Sequence, residues 1–480
     1  TGRNDWSSAL VYSYGTGNFS YFYPSVSGSW IITETFKDKL PKWVSFAKVR
    51  GSWAQVGNDT SPYYINSGYS VATYQRGDKK IYGMTIPENM KSTNLKPERK
   101  NAWEVGLDWR FLDSRIGVDL TYYKENTRNQ IMTINVPWES GVKEKLINAG
   151  NIQNSGIEIA LNTTPIKKKQ WQWDLNFTYT RNRNKIVELS PDVTSYINLD
   201  GAANYGNYRI ASVAKVGSDY GMLMSDSWIK TDEKTGKPVV GYTNKFRTVY
   251  YKRGGTVKEV GSMLPNFLGS LNSTLRWKDL SLYVLFDARF GGYVASYNSR
   301  YATAYGFSGE TEKYRKGMTW TSKYANAQDK VFTDGFIPDV VFDAGTIVTT
   351  PGGTNQDVSG MTYQEAYEKG YVEPAHLQSA AYFKNSWGTG VINDDWFKKI
   401  NYIALREITL SYNVPTKICS YIGAKNLSLS FTGRNLAYLL NTAPNHENPE
   451  SVRGTGAAQF RMRSFMPYTA SYLFTLNATF

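Results

Sequence analysis

The stretch NAWEVGLDWRFLDSRIGVDLTYYKEN, residues 101–126, decides the fold. In its first half Trp103, Val105, Leu107, Trp109 and Phe111 alternate with Glu104, Gly106, Asp108 and Arg110. After the tight connection Leu112-Asp113-Ser114, Ile116, Val118, Leu120 and Tyr122 alternate with Gly117, Asp119, Thr121 and Tyr123. A period of two puts successive side chains on opposite faces, so the spacing predicts a hairpin of two strands, roughly ten residues each, with one apolar and one polar face.

The same pattern recurs along the chain. GIEIALNT (156–163) sets Ile157, Ile159 and Leu161 against Glu158, Ala160 and Asn162. WQWDLNFTYTRN (171–182) sets Trp171, Trp173, Leu175, Phe177 and Tyr179 against Gln172, Asp174, Asn176, Thr178 and Thr180. Further strands are predicted on both sides of Trp277-Lys278-Asp279, in REITLSYNVP (406–415) and in KNLSLSFTGRN (425–435), with less regular ones near 6–14, 20–32 and 43–56. The terminal YLFTLNATF (472–480) puts Tyr472, Phe474, Leu476, Ala478 and Phe480 on one face. The total is about twelve strands, whose connections alternate in length. Short ones fall near 33–42, 112–115, 164–169, 277–279 and 415–425; long ones fall near 57–100, 127–149, 183–263, 291–395 and 436–467, with a short exception near 15–19.

An antiparallel transmembrane β-barrel has this asymmetry, with short periplasmic turns and long extracellular loops. Its apolar alternate residues face lipid, and Trp30, Trp43, Trp171, Trp277 and Tyr412 fall where interfacial girdles belong. A soluble sandwich has shorter strands with loops at both ends, and a propeller needs a fixed repeat that is not found. No run approaches the roughly 18 apolar residues of a membrane helix. The 480 residues carry 55 Lys plus Arg against 41 Asp plus Glu, a net charge of +14, spread out apart from Lys167-Lys168-Lys169. No nucleic-acid-binding motif accompanies that charge, so solvated loops and membrane-surface contacts, including lipopolysaccharide, are its expected use. A single cysteine, Cys419, excludes an internal disulfide.

Several stretches together resemble the SusC/RagA-type TonB-dependent transporters of the Bacteroidota outer membrane. They are YPSVSGSWIITE (23–34), VRGSWAQVGN (49–58), LKPERKNAWEVGLDWRFLDSRIGVDLTYYKENTRNQI (95–131), NAGNIQNSGIEI (148–159), LPNFLGSLNSTLRWKDLSLYVLFDARFGG (264–292), IALREITLSYNVP (403–415), GRNLAYLL (433–440) and NPE (448–450). NAGNIQNSGIE is the most specific. LKPE stands where Leu-Lys-Trp-Glu is frequent and NPE where Asp-Pro-Glu is, and neither departure touches an evident chemistry. The resemblance implies a 22-stranded barrel around a plug, of which Thr1–Phe480 is the C-terminal portion. The plug, the TonB-contacting segment and the earlier strands have no counterpart here, and truncation is expected to account for them. It also implies TonB-energised import through the TonB-ExbB-ExbD complex, a SusD-like surface lipoprotein as partner, and a dimer of transporter–lipoprotein pairs. An oligosaccharide is expected as cargo over an oligopeptide, a preference that comes from the resemblance alone. A passive structural barrel or adhesin and a soluble all-β glycan-binding protein are the rival readings. Phe480, with Tyr472, Phe474 and Leu476 before it, resembles the outer-membrane assembly signal.

No enzymatic constellation stands out. His376 and His446 are far apart, no zinc-type spacing exists, and neither a nucleophile elbow nor a phosphate-binding loop is present. No cofactor and no metal are expected. Glu104, Asp108, Asp119, Glu158, Asp174 and Asp287, with Arg110 and Arg289, lie in the polar phase of strands and are expected to line a hydrated lumen. Substrate contacts are expected from the longest loop, 291–400, where Tyr305, Tyr314, Trp320 and Trp387 offer flat faces for sugar rings and Arg315 offers charge. Within that loop TYQEAYEKGY (362–371) is expected to hold a short helix.

Overall fold

The hairpin at 101–126 forms as its alternation predicts. Glu98–Phe111 pairs antiparallel with Ile116–Arg128, Leu107 opposite Leu120 and Asp108 opposite Asp119, so like faces like. The computed structural model describes all residues except 1, 7–19, 38, 63, 93–94, 137, 191–192, 194, 200–209, 227, 306, 310–316, 377–391, 393–395, 454–455, 457–459 and 463–466.

Twelve strands follow one another in chain order across a single sheet, each antiparallel to the next. They are β1 (Gly2–Trp6), β2 (Ser20–Ile31), β3 (Val44–Asn58), β4 (Glu98–Phe111), β5 (Ile116–Arg128), β6 (Asn151–Lys168), β7 (Trp171–Glu188), β8 (Phe267–Trp277), β9 (Leu280–Ser296), β10 (Phe397–Asn413), β11 (Asn426–Asn441) and β12 (Ser471–Thr479). Two short strands, Val452–Arg453 and Arg461–Met462, attach at the end of β9. No helix among the described residues is long and apolar enough to cross a membrane; the sheet carries the apolar surface.

Several strand limits differ from the sequence expectation: β7 and β11 each run six residues further into the long connections, to Glu188 and Asn441, and three others differ, each for a local reason. The strand expected near 6–14 lies at Gly2–Trp6, and most of the expected span falls outside the described residues. The expected turn at 164–169 is mostly strand, because β6 absorbs Thr164 and Pro165 in a register shift and runs on to Lys168. The double glycine Gly291-Gly292 does not end β9. Both residues take positive φ, +87° and +89°, open to glycine at no steric cost. They form a bulge, beyond which Tyr293–Ala295 pair with Lys399–Phe397. The connection to β10 is therefore 297–396.

One rim carries the short turns and a girdle. Trp30, Trp43, Trp171, Trp277 and Tyr412 are all exposed there, with Trp171 stacked on Trp277 at 5.6 Å and Trp43 tilted against Phe111 at 5.5 Å. The buried core sits at the opposite rim, where the long connections fold on each other. Ile134, Ile147, Ile152, Ile186, Ile197 and Ala214 make one cluster. Val240, Val249, Phe342, Val348, Tyr363 and Val372 make another. The second joins two connections, since Val239–Thr243 pairs with Thr248–Tyr251 and, in parallel, with Val341–Phe342. The expected short helix is α2 (Tyr363–Glu368), following α1 (Tyr297–Ala304) in the same connection; a full capping box between Thr362 and Glu365 fixes its start.

The two faces of the sheet are expected to differ in their tolerance of charge. Leu271 lies on the apolar face beside Phe177 and Phe286, and its neighbour Ser270 lies on the polar face beside Thr178 and Asp287. Leu271→Arg is expected to cost ~2–4 kcal/mol in a bilayer, and Ser270→Arg less than half of that. The folded fraction in a urea titration of lipid-reconstituted protein checks both.

Candidate functional site

The polar face gathers most of its charges into ion pairs between strands. Arg50 on β3 donates from both terminal nitrogens to Asp119 on β5, at 3.0 and 2.9 Å, and its Nε lies 3.6 Å from Glu104 on β4. Ser27, Ser29 and Ser52 complete an open recess of about 260 Å³ beside them. Asp174 accepts from Thr164, from Gln172 and from Arg276 at 2.7 Å. Asp108 pairs with Arg110 on its own strand at 3.3 Å. Glu158 sits between Thr121 and Thr180 in the register. Arg289 turns to backbone, donating to the carbonyls of Met263 and Gly291.

Asparagines continue this surface toward the long-loop rim, and they account for the most specific stretch of the sequence. Asn148 accepts from the Lys96 amide at 2.6 Å and donates back to the Lys96 carbonyl at 2.7 Å, joining NAGN to LKPE. Asn126 donates to Asn151, and Asn182 and Asn184 both donate to Asn154. Neutral amides thus tie β5 to β6 on the phase of Tyr122 and Ile157, and β6 to β7 on the polar phase of Glu158.

The densest cluster centres on Arg406. The apolar phase of β10 slips between Leu405 and Ile408, and the register shows why: a bulge there sets Leu405 opposite Ala437 and Glu407 opposite Arg434. Asn435, facing the bulge, takes a left-handed φ of +51°. Arg406 then reaches Asp287 at 2.8 Å and clasps Glu450 with two bonds of 2.7 and 2.6 Å. Tyr402 and Tyr438 each donate a hydroxyl to Glu450, at 3.1 and 3.0 Å. Asn448 accepts from Tyr438 and from the Glu450 amide, so an Asp there has an oxygen for the same role. NPE therefore does carry a chemistry: it pins the last long connection to the wall. Sequence reasoning picked Asp287 by phase but missed Arg406, whose signal was the slipped alternation in IALREITL, and Glu450, whose signal was the NPE stretch itself.

A second acid of that connection behaves oppositely. Glu447 is buried at the start of α1, where the Ser296 hydroxyl donates to it at 3.3 Å, and Ser296 also caps the helix. Burial pushes its carboxyl up to about 7. Burial acts on Glu450 in the same sense, but the Arg406 guanidinium and the two tyrosine hydroxyls hold it below its ordinary value.

The expected substrate residues scatter. Trp320 stacks on Phe332 at 4.9 Å, donates to Glu373 at 3.4 Å, and lines an open cleft of about 730 Å³ with Lys323, Tyr367, Glu368 and Glu373. Tyr305 is 61 % exposed just after α1 and does not line that cleft. Tyr314, Arg315 and Trp387 lie outside the described residues. His376 pairs with Asp334 at 3.2 Å beside Trp320. Among the described residues no group of His, Cys, Asp and Glu is arranged to hold a metal ion. Tyr472, Phe474, Leu476 and Phe480 are all exposed along the terminal strand, Phe474 opposite Phe431 and Tyr472 stacked on its ring.

Residues 1–293 match the family described as TonB dependent receptor-like, beta-barrel. The chain belongs to that family. Among its relatives, TonB-dependent receptor P26 of Formosa agariphila is 24% identical over 446 residues, which cover 91% of this chain and 39% of the relative. TonB-dependent receptor SusC of Bacteroides thetaiotaomicron is 28% identical over 228 residues, covering 45% of this chain and 22% of SusC. A solved structure of the RagAB peptide transporter superposes on the whole chain with a TM-score of 0.67 at 18% identity and covers 45% of that structure's chain, a likeness of fold. The chain thus spans less than half the length of these relatives. The family bears out the expected outer-membrane β-barrel and the resemblance to SusC and RagA, and it is a family of transporters rather than enzymes.

Replacing Arg406 with Ala is expected to cost about 2 kcal/mol, below the ~3–5 of a fully buried pair because water reaches Glu450. The check is faster proteolysis within 442–453. For Glu447 the raised value means that the folded state keeps a proton which the unfolded chain has lost. Its contribution is full below the ordinary carboxylate range, falls as pH rises toward about 7, and is flat above. The protection factor at 443–448, which is exchange corrected for its intrinsic base-catalysed rise, is expected to fall about tenfold or more between pH 5 and pH 7.5, and Glu447→Gln to remove that fall.

Proposed function

We propose that this chain is the C-terminal portion of the barrel of an outer-membrane active importer that takes up oligosaccharides by TonB coupling. The short-turn rim faces the periplasm and the long connections, with that between β9 and β10 the longest, face the outside. The family match over residues 1–293 carries this reading. The two-faced sheet supports it, since a wall with ion pairs on one side and exposed aromatics on the other suits lipid outside and a hydrated path inside.

In this mechanism the wall is static. The TonB-ExbB-ExbD complex acts on a plug outside this sequence, while Glu104, Asp108, Asp119, Glu158, Asp174 and Asp287 keep the inner surface wet and charged. A SusD-like lipoprotein delivers cargo at the outer rim, where the Trp320 cleft offers aromatic faces beside carboxylates and a lysine, groups that stack on and hydrogen-bond a sugar ring. Tyr305, Tyr314, Arg315 and Trp387 belong to the same connection and are proposed as further contacts. The terminal strand, with Tyr472, Phe474, Leu476 and Phe480, serves as the assembly signal.

Intact-mass analysis of the receptor from detergent-solubilised outer membranes tests the reading, together with uptake of labelled oligosaccharides. A polypeptide longer than 480 residues with a bound lipoprotein is expected. A mass of 54.3 kDa with no partner would remove energy-coupled import. Trp320→Ala is expected to weaken cargo binding about tenfold, ~1.4 kcal/mol, and uptake of oligopeptides in place of oligosaccharides would reassign the cargo.

A further inference from the structure

The apolar phase of the wall changes character near the long-loop rim. On β7 it runs Trp171, Trp173, Leu175, Phe177 and Tyr179, and then continues Arg181, Arg183 and Lys185. A strand crosses a bilayer in about nine to eleven residues, so these cations begin where the apolar span from the Trp171 girdle ends. The neighbouring strands change at the same level. Arg181 lies opposite Ile157, Lys124 and Arg183 flank Ser155 from either side, and Arg99 lies directly opposite Arg128. Lys124 is partly exposed and the other five cations are exposed.

The charge on this face is unbalanced. Every Asp and Glu of 98–111, 116–128, 151–168 and 171–187 lies in the opposite phase, where Arg50 meets Asp119 and Lys100 meets Glu125. Glu188, past a register shift, is the first acid beyond. Among the described residues none of the six outer cations makes an ion pair. Like charges directly opposite on paired strands are destabilising, so Arg99 and Arg128 need an anion between them. Guanidinium groups grip phosphate oxygens with two parallel bonds. Next to the cations Trp103, Tyr122 and Ile157 are exposed, so an occupant with hydrocarbon below its charge fits both parts of the surface.

The wall itself limits what covers this face. β4–β7 are inner members of the sheet, with β1–β3 on one side and β8–β12 on the other. Further strands pair beside β1 or β12, not over the outer side of β4–β7. The patch spans about three strand spacings by six residues, ~15 by ~20 Å, well short of the roughly 800 Å² per partner of a stable protein interface. A lipid headgroup needs no more.

We propose that Arg99, Lys124, Arg128, Arg181, Arg183 and Lys185 bind the phosphate groups of an outer-leaflet glycolipid, lipopolysaccharide, whose acyl chains lie along Trp103, Tyr122 and Ile157. The proposal goes beyond the import reading and takes from it only the orientation of the wall, with the long connections outside.

Native mass spectrometry tests it, on the complete receptor delipidated in detergent and titrated with lipopolysaccharide from the same membranes. Bound glycolipid is expected, and removing its phosphates is expected to weaken binding about tenfold or more. Arg128→Ser with Arg183→Ser is expected to do the same, with heat-modifiable mobility on gels reporting an intact barrel; Lys185→Ser alone, a milder change, is expected to weaken binding about threefold. Lys167→Ser with Lys168→Ser, an equal loss of charge at the short-turn rim, is expected to leave binding unchanged. Binding that ignores the phosphates, binding that these outer-face variants leave unchanged, or displacement by equimolar inorganic phosphate would each overturn the proposal. Oligosaccharide uptake by cells carrying the receptor separates the two readings: uptake by a receptor that binds no glycolipid removes the site and leaves the importer, and glycolipid bound by a receptor that takes up no oligosaccharide does the reverse.

Discussion

A strand in hydrocarbon has no water to satisfy its amides, so every backbone group must find its partner on a neighbouring strand. That constraint orders everything else in this molecule. It forces twelve segments into one uninterrupted antiparallel path, and it requires each to expose one apolar and one hydrated side. Irregular backbone is then confined to rims and to bulges. The charges follow as well: with lipid on one side, Arg50, Arg276 and Arg406 have a single face on which to meet carboxylates, and adjacent strands bring those carboxylates within reach.

The wall was legible in the sequence because alternation reports it directly. Residues 101–126 and 171–182 needed nothing beyond the period of two, and the tryptophans near the short turns marked one membrane boundary. The bulges were less legible. Gly291-Gly292 has the look of a stop signal, and only the pairing of Tyr293 with Lys399 shows that the strand resumes. The phase slip around Arg406 was visible, but reading it as an aimed guanidinium requires knowing that Asp287 and Glu450 lie within reach.

The candidate site was legible by halves for the same reason. Phase gave the acids Glu104, Asp119, Asp174 and Asp287. Their cations sit on other strands, at offsets set by register, and register is a property of pairs that no single segment encodes. The loops hid more. Their cores are assembled from short apolar runs such as Val239-Val240 and Val340-Val341-Phe342, far apart in sequence and joined by parallel bridges that leave no periodic trace.

Those bridges have a mechanical consequence. Because Val239–Val240 is paired with Val341–Phe342 and both are packed against α2, the connection leaving β7 and the connection leaving β9 are stitched into one body. Such a body has few ways to move. It can swing about the four strand ends that hold it, but its two contributing loops cannot open one after the other like separate flaps. A load taken at the Trp320 cleft is therefore shared between two hairpins of the wall, whose joined connections swing as one hinged plate.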